Sequence, residues 1–135
     1  MRLCICPCGS GQDYVDCCGL WHSDLAQGRH APTPEALMRS RYSAYALQSA
    51  DPGLGVYLLA TWHPSTAPGD MEPNPFMKWM GLEVLHAESS GDAGVVEFIA
   101  RFKDNGRAGR LHETSRFVRE GGRWYYIDGQ FAEPE

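Results

Sequence analysis

A chain of 135 residues with 43% hydrophobic residues is long enough for one ordinary domain with a small appendage. Its 17 acidic against 12 basic side chains give a net charge of −5, which excludes a general nucleic-acid binder, because phosphate binding is driven by clustered Lys and Arg. No apolar run approaches the ~18 residues of a membrane helix and no apolar signal segment precedes the first cysteine, so the expectation is a soluble, cytoplasmic protein without membrane contact.

Residues 1–24 carry all five cysteines. An odd number does not make a disulfide framework, and adjacent Cys17 and Cys18 are badly placed to bridge each other. Cys6 and Cys8 form one close pair, Cys17 and Cys18 another, with Gly9-Ser10-Gly11 turning between them. Two such pairs suit a zinc ion held tetrahedrally by sulfur, in a reducing compartment. Pro7 stiffens the first pair, and the glycine-rich turn lets backbone amides face the sulfurs. Cys4 is spare, either a bystander or a competing ligand. His22 is an alternative to Cys18, weighed against a plain surface histidine. The order Cys6-x-Cys8-x-Ser10-Gly11-x5-Cys17-Cys18 resembles the SEC-C motif, which implies a structural zinc on Cys6, Cys8, Cys17 and Cys18. Modules of this kind often carry lysines between the pairs; here stand Gln12, Asp13, Tyr14, Val15 and Asp16, so the resemblance brings no expectation of RNA.

Residues 25–33 read as a polar linker, and residues 34–135 as the main domain. Thr33-Pro34 is an N-cap followed by proline at the first helical position, opening a helix to about Ser49. Leu37, Ala44 and Tyr45 share one inward stripe, Met38, Tyr42 and Tyr45 a slightly rotated one, and Arg41 falls beside them. Asp51-Pro52 ends this helix and caps a second, predicted over Leu54–Trp62 and stopped by His63-Pro64. Thr66–Pro75 reads as a loop, placed as a lid over one end of the body, with one helical turn from Asn74-Pro75 through Trp79.

From Gly81 the pattern becomes strands, predicted over Leu82–Ala87, Gly94–Lys103, Arg110–Arg119 and Arg123–Asp128. Asn105-Gly106 tolerates the positive φ angles of a two-residue hairpin turn, and Gly121-Gly122 makes the next. Those turns set Val96 opposite Ser115, Phe98 opposite Glu113, Phe117 opposite Tyr126 and Ser115 opposite Asp128. One face then carries Val96, Phe98, Ala100, Phe102, Leu111, Phe117, Trp124 and Tyr126, and with them three polar residues, Glu113, Ser115 and Asp128. A buried carboxylate needs a cation or hydrogen bonds, and Arg39 or Arg41 of the first helix could supply the charge. The fold class is therefore α+β, a curved antiparallel sheet wrapped on N-terminal helices.

Five blocks resemble the YchJ family: Leu37 to Tyr45, Thr61 to Ser65, Val96 to Phe102, Ser115-Arg116-Phe117, and Trp124 to Gly129. The resemblance implies a nuclear transport factor 2-like, or cystatin-like, cone behind the small zinc knuckle. It implies no particular reaction. Two functions compete. One is a cytosolic zinc-containing adaptor or binding module, with a protein partner or a small-molecule ligand. The other is an isomerase, dehydratase or hydrolase using acid–base groups in the cone. Arg39, Arg41, Tyr42, Tyr45, His63, Glu113 and Asp128 are the pocket candidates. The zinc is structural in both, because four sulfur ligands leave no open position for water.

Overall fold

The computed structural model of the chain describes residues 5–24, 31–48, 51, 53–69 and 77–131. It contains helices α1 (Cys18–Asp24), α2 (Pro34–Leu47) and α3 (Leu54–Ala60). Four strands follow, β1 (Met77–Ser90), β2 (Ala93–Asp104), β3 (Arg107–Glu120) and β4 (Arg123–Phe131), and they form one antiparallel sheet in the order β1-β2-β3-β4. This is the α+β architecture expected from the sequence. None of its helices is long and apolar enough to cross a membrane, among the described residues.

The helix starts follow local chemistry. Thr33 Oγ1 accepts the Ala36 amide at 3.0 Å, with Pro34 at the first position of α2. The Asp51 carboxylate accepts the Gly53 amide at 3.2 Å and the Asp51 carbonyl accepts that of Leu54, which sets the start of α3. After α3 the chain is stitched to the sheet. Tyr126 N donates to Thr61 O at 2.9 Å, and His63 N donates to Tyr126 O at 2.7 Å.

The β2–β3 register is the predicted one, with Val96 opposite Ser115 and Phe98 opposite Glu113. Asn105 at φ 52° and Gly106 at φ 84° make the tight turn that fixes it. Two other expectations fail, each through a bulge. The helical turn predicted through Trp79 is strand from Met77 onward, and β1 extends far beyond Leu82–Ala87. Met80 and Leu85 are extra residues in its ladder, since Trp79 and Gly81 face Phe102 and Arg101, and Val84 and His86 face Phe98 and Glu97. Each extra residue shifts the alternation by one, so the period-2 signal of the strand is lost. Bulges also bend the strand that carries them, which helps the sheet to curve.

The third bulge decides the site. Arg116 faces Asp128 and Phe117 faces Tyr126, so Ile127 is extra and Ser115 lies opposite Gly129, not Asp128. A shift of one residue moves a side chain to the opposite face.

The core lies between α2 and the sheet. Leu37, Met38 and Tyr42 pack with Val96, Phe98, Ala100, Phe117 and Trp124, and Cys6, Cys8 and Cys18 belong to the same buried cluster. A second cluster joins Ala44 to Leu54, Tyr57 and Leu58, and Trp21 packs on both. The predicted lid falls mostly outside the described residues, as do Cys4 and most of the linker.

Candidate metal centre and cavity

The N-terminal segment folds back on itself through an antiparallel bridge between Ile5 and Asp13, with Cys6 N donating to Gln12 O at 2.8 Å. That bend carries Cys6 and Cys8 toward Cys17 and Cys18, the last at the start of α1. All four Sγ atoms lie within 4.8 Å of one another, and Cys8 Sγ is 3.7 Å from Cys17 Sγ. Four sulfurs bound at about 2.3 Å around a tetrahedral zinc sit roughly 3.8 Å apart, so the donor set fits such an ion with small adjustments. None of the four is in a disulfide.

Polar groups converge on the sulfurs. Ser10 Oγ is 3.2 Å from Cys17 Sγ, and Ser43 Oγ, from α2, is 3.4 Å from Cys6 Sγ. Cys8 is held far below the ordinary thiol range, chiefly by hydrogen bonds from Cys18 and then Cys6. Cys18 is pushed far above it by its contacts with Cys6 and Cys8, and Cys17 is raised by burial. Without a cation, crowded thiols share protons and cannot all ionise. A divalent ion supplies the charge that lets them do so.

His22 has another task. Its Nε2–H donates to Ser40 O at 2.7 Å, and Nδ1 lies 2.6 Å from Tyr14 Oη and accepts its proton. Both ring nitrogens are taken, so His22 belongs to a strap between the knuckle and α2. Burial pushes it below its ordinary value of 6.5, against the opposing effects of the Ser40 carbonyl and Asp51. Protonation therefore favours the unfolded state, and this contribution to stability is present above about pH 6.5 and is lost as pH falls through the folded-state value. At saturating zinc, the urea stability of the native protein should decline more steeply below pH 6.5 than that of His22→Gln. Parallel profiles would show that His22 carries no such linkage.

A cavity of about 320 Å³ lies between α2 and the helix-facing side of the sheet. Its walls are largely aromatic, with Phe98, Phe117 and Tyr126 from the sheet and Trp62 and Trp79 flanking them. Four of the seven pocket candidates line it: Arg41, Tyr42, Tyr45 and Glu113. Glu113 is 6% exposed, and its Oε2 accepts from Ser115 Oγ at 2.5 Å and from Tyr126 Oη at 3.2 Å. Arg41 is 5% exposed, and its Nη1 donates to Leu58 O and Thr61 Oγ1, both at 2.7 Å. Its guanidinium lies over the rings of Trp62 and Tyr126, at 5.0 and 4.7 Å. Burial pushes Tyr42 up to about 12 and raises Tyr45 and Tyr126, so these phenols remain neutral O–H groups at physiological pH.

Three candidates lie elsewhere. Asp128 is carried to the opposite face by the Ile127 bulge, where Arg116 Nε and Nη2 donate to its two oxygens, both at 2.6 Å. That bidentate pair holds Asp128 below the usual carboxylate range. Arg39 stands two residues before Arg41, roughly 200° around the helix. It bonds Glu35 at 2.9 Å and donates to Cys8 O at 2.8 Å, which ties α2 to the knuckle. His63 lies past the end of α3, which stops at Ala60 with Thr61 as its cap, two residues short of the predicted Trp62. Its Nε2–H donates to Glu120 at 2.9 Å, and Nδ1 accepts the Ser65 amide at 3.1 Å.

Sequence reasoning missed Trp62 and Trp79 as cavity walls and Ser43 as a neighbour of the cysteines. The recurrence of small hydroxyl residues Ser40 and Ser43 one turn apart on α2 was the available signal for the last.

Comparison with known proteins agrees with this anatomy. Residues 33–129 match the family model described as YchJ, middle NTF2-like domain, and residues 5–20 match the SEC-C motif. A UPF0225 protein of Bordetella pertussis is 52% identical over 126 residues, covering 92% of this chain and 90% of the relative. One from Chromobacterium violaceum is 53% identical over 133 residues, covering 94% and 93%. The solution structure of a SEC-C motif containing protein from Rhodopseudomonas palustris aligns with a TM-score of 0.77 at 38% identity, over 98% of this chain and all of that one. A crystal structure of a SEC-C motif containing protein from Psychrobacter arcticus aligns with a TM-score of 0.68 at 26% identity, over all of this chain and 85% of the other.

Proposed function

The chain belongs to the YchJ family, and from that premise we propose that it is a cytoplasmic binding protein in which a structural zinc on Cys6, Cys8, Cys17 and Cys18 orders the N-terminus and the cavity receives a small molecule. The cavity carries this reading. At about 320 Å³ it stands at the lower end of small-molecule sites, and it combines apolar aromatic walls with a few inward polar groups. The enzyme alternative is weaker. Of the acid–base candidates Glu113, Asp128 and His63 only Glu113 lines the cavity, and the groups around it, Ser115 and Tyr126 bonded to it and the donors Tyr42 and Tyr45 in the same wall, are neutral hydroxyls. An adaptor role for a protein partner is compatible with the same zinc knuckle, but the cavity is the feature among the described residues that points to a ligand class.

The test is a titration of isotope-labelled protein with toluene, indole and benzoate, followed by NMR. At least one probe should give saturable shifts centred on Ala100, Leu111 and Glu113. Ala100→Leu, which fills the cavity, should abolish them. Scattered, non-saturating shifts from all three probes would sink the small-molecule reading.

A further inference from the structure

The bonding around Glu113 defines the ligand. Both described donors, Ser115 Oγ and Tyr126 Oη, go to Oε2, while Oε1 has no donor among the described residues. The β4 side of the carboxylate is closed by Gly129. A Cβ there would collide with Glu113 Oε2 and stand only 2.6 Å from Cδ, so the side chain lies flat against bare backbone. Oε1 is therefore the acceptor left for the cavity, on a side chain more than nine-tenths buried. A buried carboxylate oxygen with no donor is costly, and a donor brought by a ligand would remove that cost.

Charge balance narrows the class. Among the residues lining the cavity, Glu113 is the one acid and Arg41 the one base. They make no direct ion pair among the described residues. Arg41 is held in the wall, stacked on Trp62 and Tyr126 with both Nη1 hydrogens tied to Leu58 and Thr61. An anion would sit against Glu113 and leave Oε1 without a donor. A cation would add an unbalanced charge beside Arg41.

We infer that the cavity takes a neutral, planar aromatic molecule that presents an N–H donor to Glu113 Oε1, with its ring between the aromatic walls. The inference rests on the small-molecule reading above and specifies it. With a volume of about 320 Å³, the cavity suits a mono- or bicyclic ligand rather than a larger one.

Indole and 1-methylindole have nearly the same shape, and the methyl group deletes the donor. On zinc-loaded full-length protein, NMR titration should show indole binding at least about ten-fold tighter than 1-methylindole, the loss expected for a hydrogen bond to a charged acceptor. Benzoate should bind more weakly than indole. In Glu113→Gln the amide oxygen takes the Ser115 and Tyr126 donors and turns its NH2 to the cavity, so the preference for indole should shrink to about two-fold or less. Equal binding of indole and its methyl derivative, or tighter binding of benzoate, would overturn the inferred class while leaving the cavity a ligand site. A ten-fold preference surviving in Glu113→Gln would overturn Glu113 as its reader. Failure of every probe to reach the cavity would instead remove the small-molecule reading itself, and this inference with it.

Discussion

Metal analysis of the purified protein should return one zinc per chain, lost in Cys8→Ser and in Cys17→Ser and retained in Cys4→Ser. The reason is burial. Cys6, Cys8 and Cys18 are no more than 2% exposed, and their sulfurs crowd with that of Cys17. Thiolates so placed repel one another unless a cation sits among them, and a segment of about twenty residues buries too little to fold by itself. Structural zinc contributes on the order of 10 kcal/mol in comparable small modules, so chelation is a large perturbation. It should also travel. The cysteines share a buried cluster with Leu37, Met38 and the sheet, and Arg39 and Ser43 touch them from α2. Stripping the metal should therefore release amide-exchange protection in residues 5–24 and also lower the melting temperature of the body. Full zinc occupancy in a Cys8→Ser/Cys17→Ser double variant would rule the site out.

The second large effect is expected at Arg41. Replacing it with methionine keeps much of the volume but removes two hydrogen bonds and two ring contacts, and it strips the cavity of its one positive charge. Glu113 would then be a buried carboxylate with no cation in the same cavity, a cost added to about 1.5–3 kcal/mol for each of the two lost bonds from a charged donor. Urea unfolding of Arg41→Met should show a loss of that order. Glu113→Gln relieves the stranded charge, so the double variant should be more stable than the sum of the two losses predicts, by about 1 kcal/mol or more. Additivity within about 0.5 kcal/mol would mean that the two charges act independently.

What the sequence made legible follows from how locally each feature is encoded. Cysteine spacing and the glycine turn announce the donor set within a few residues. Thr33-Pro34 announces the start of α2, and Asn105-Gly106 fixes the β2–β3 register, which placed Glu113 and Ser115 on the core face. Bulges leave no such mark. Met80, Leu85 and Ile127 are ordinary residues, and only the partner strand reveals that each is one too many. Hence the sequence signal for β1 stops short, Trp79 falls outside it, and Asp128 lands on the wrong face. His22 illustrates a second limit. Its partners, Tyr14 and the Ser40 carbonyl, come from two separate elements, and a lone histidine carries no sign of either.

The bulge at Ile127 thus decides how many acids the interior holds. Were Ile127 paired in the ladder instead of bulged, it would face Arg116, and Asp128 would fall opposite Ser115 on the chamber side beside Glu113, leaving Arg116 without its partner. Two acids facing one another commonly share a proton, an arrangement suited to proton transfer rather than quiet retention of a guest. Whether one residue of β4 is paired or bulged therefore separates an interior with a single carboxylate from one with two.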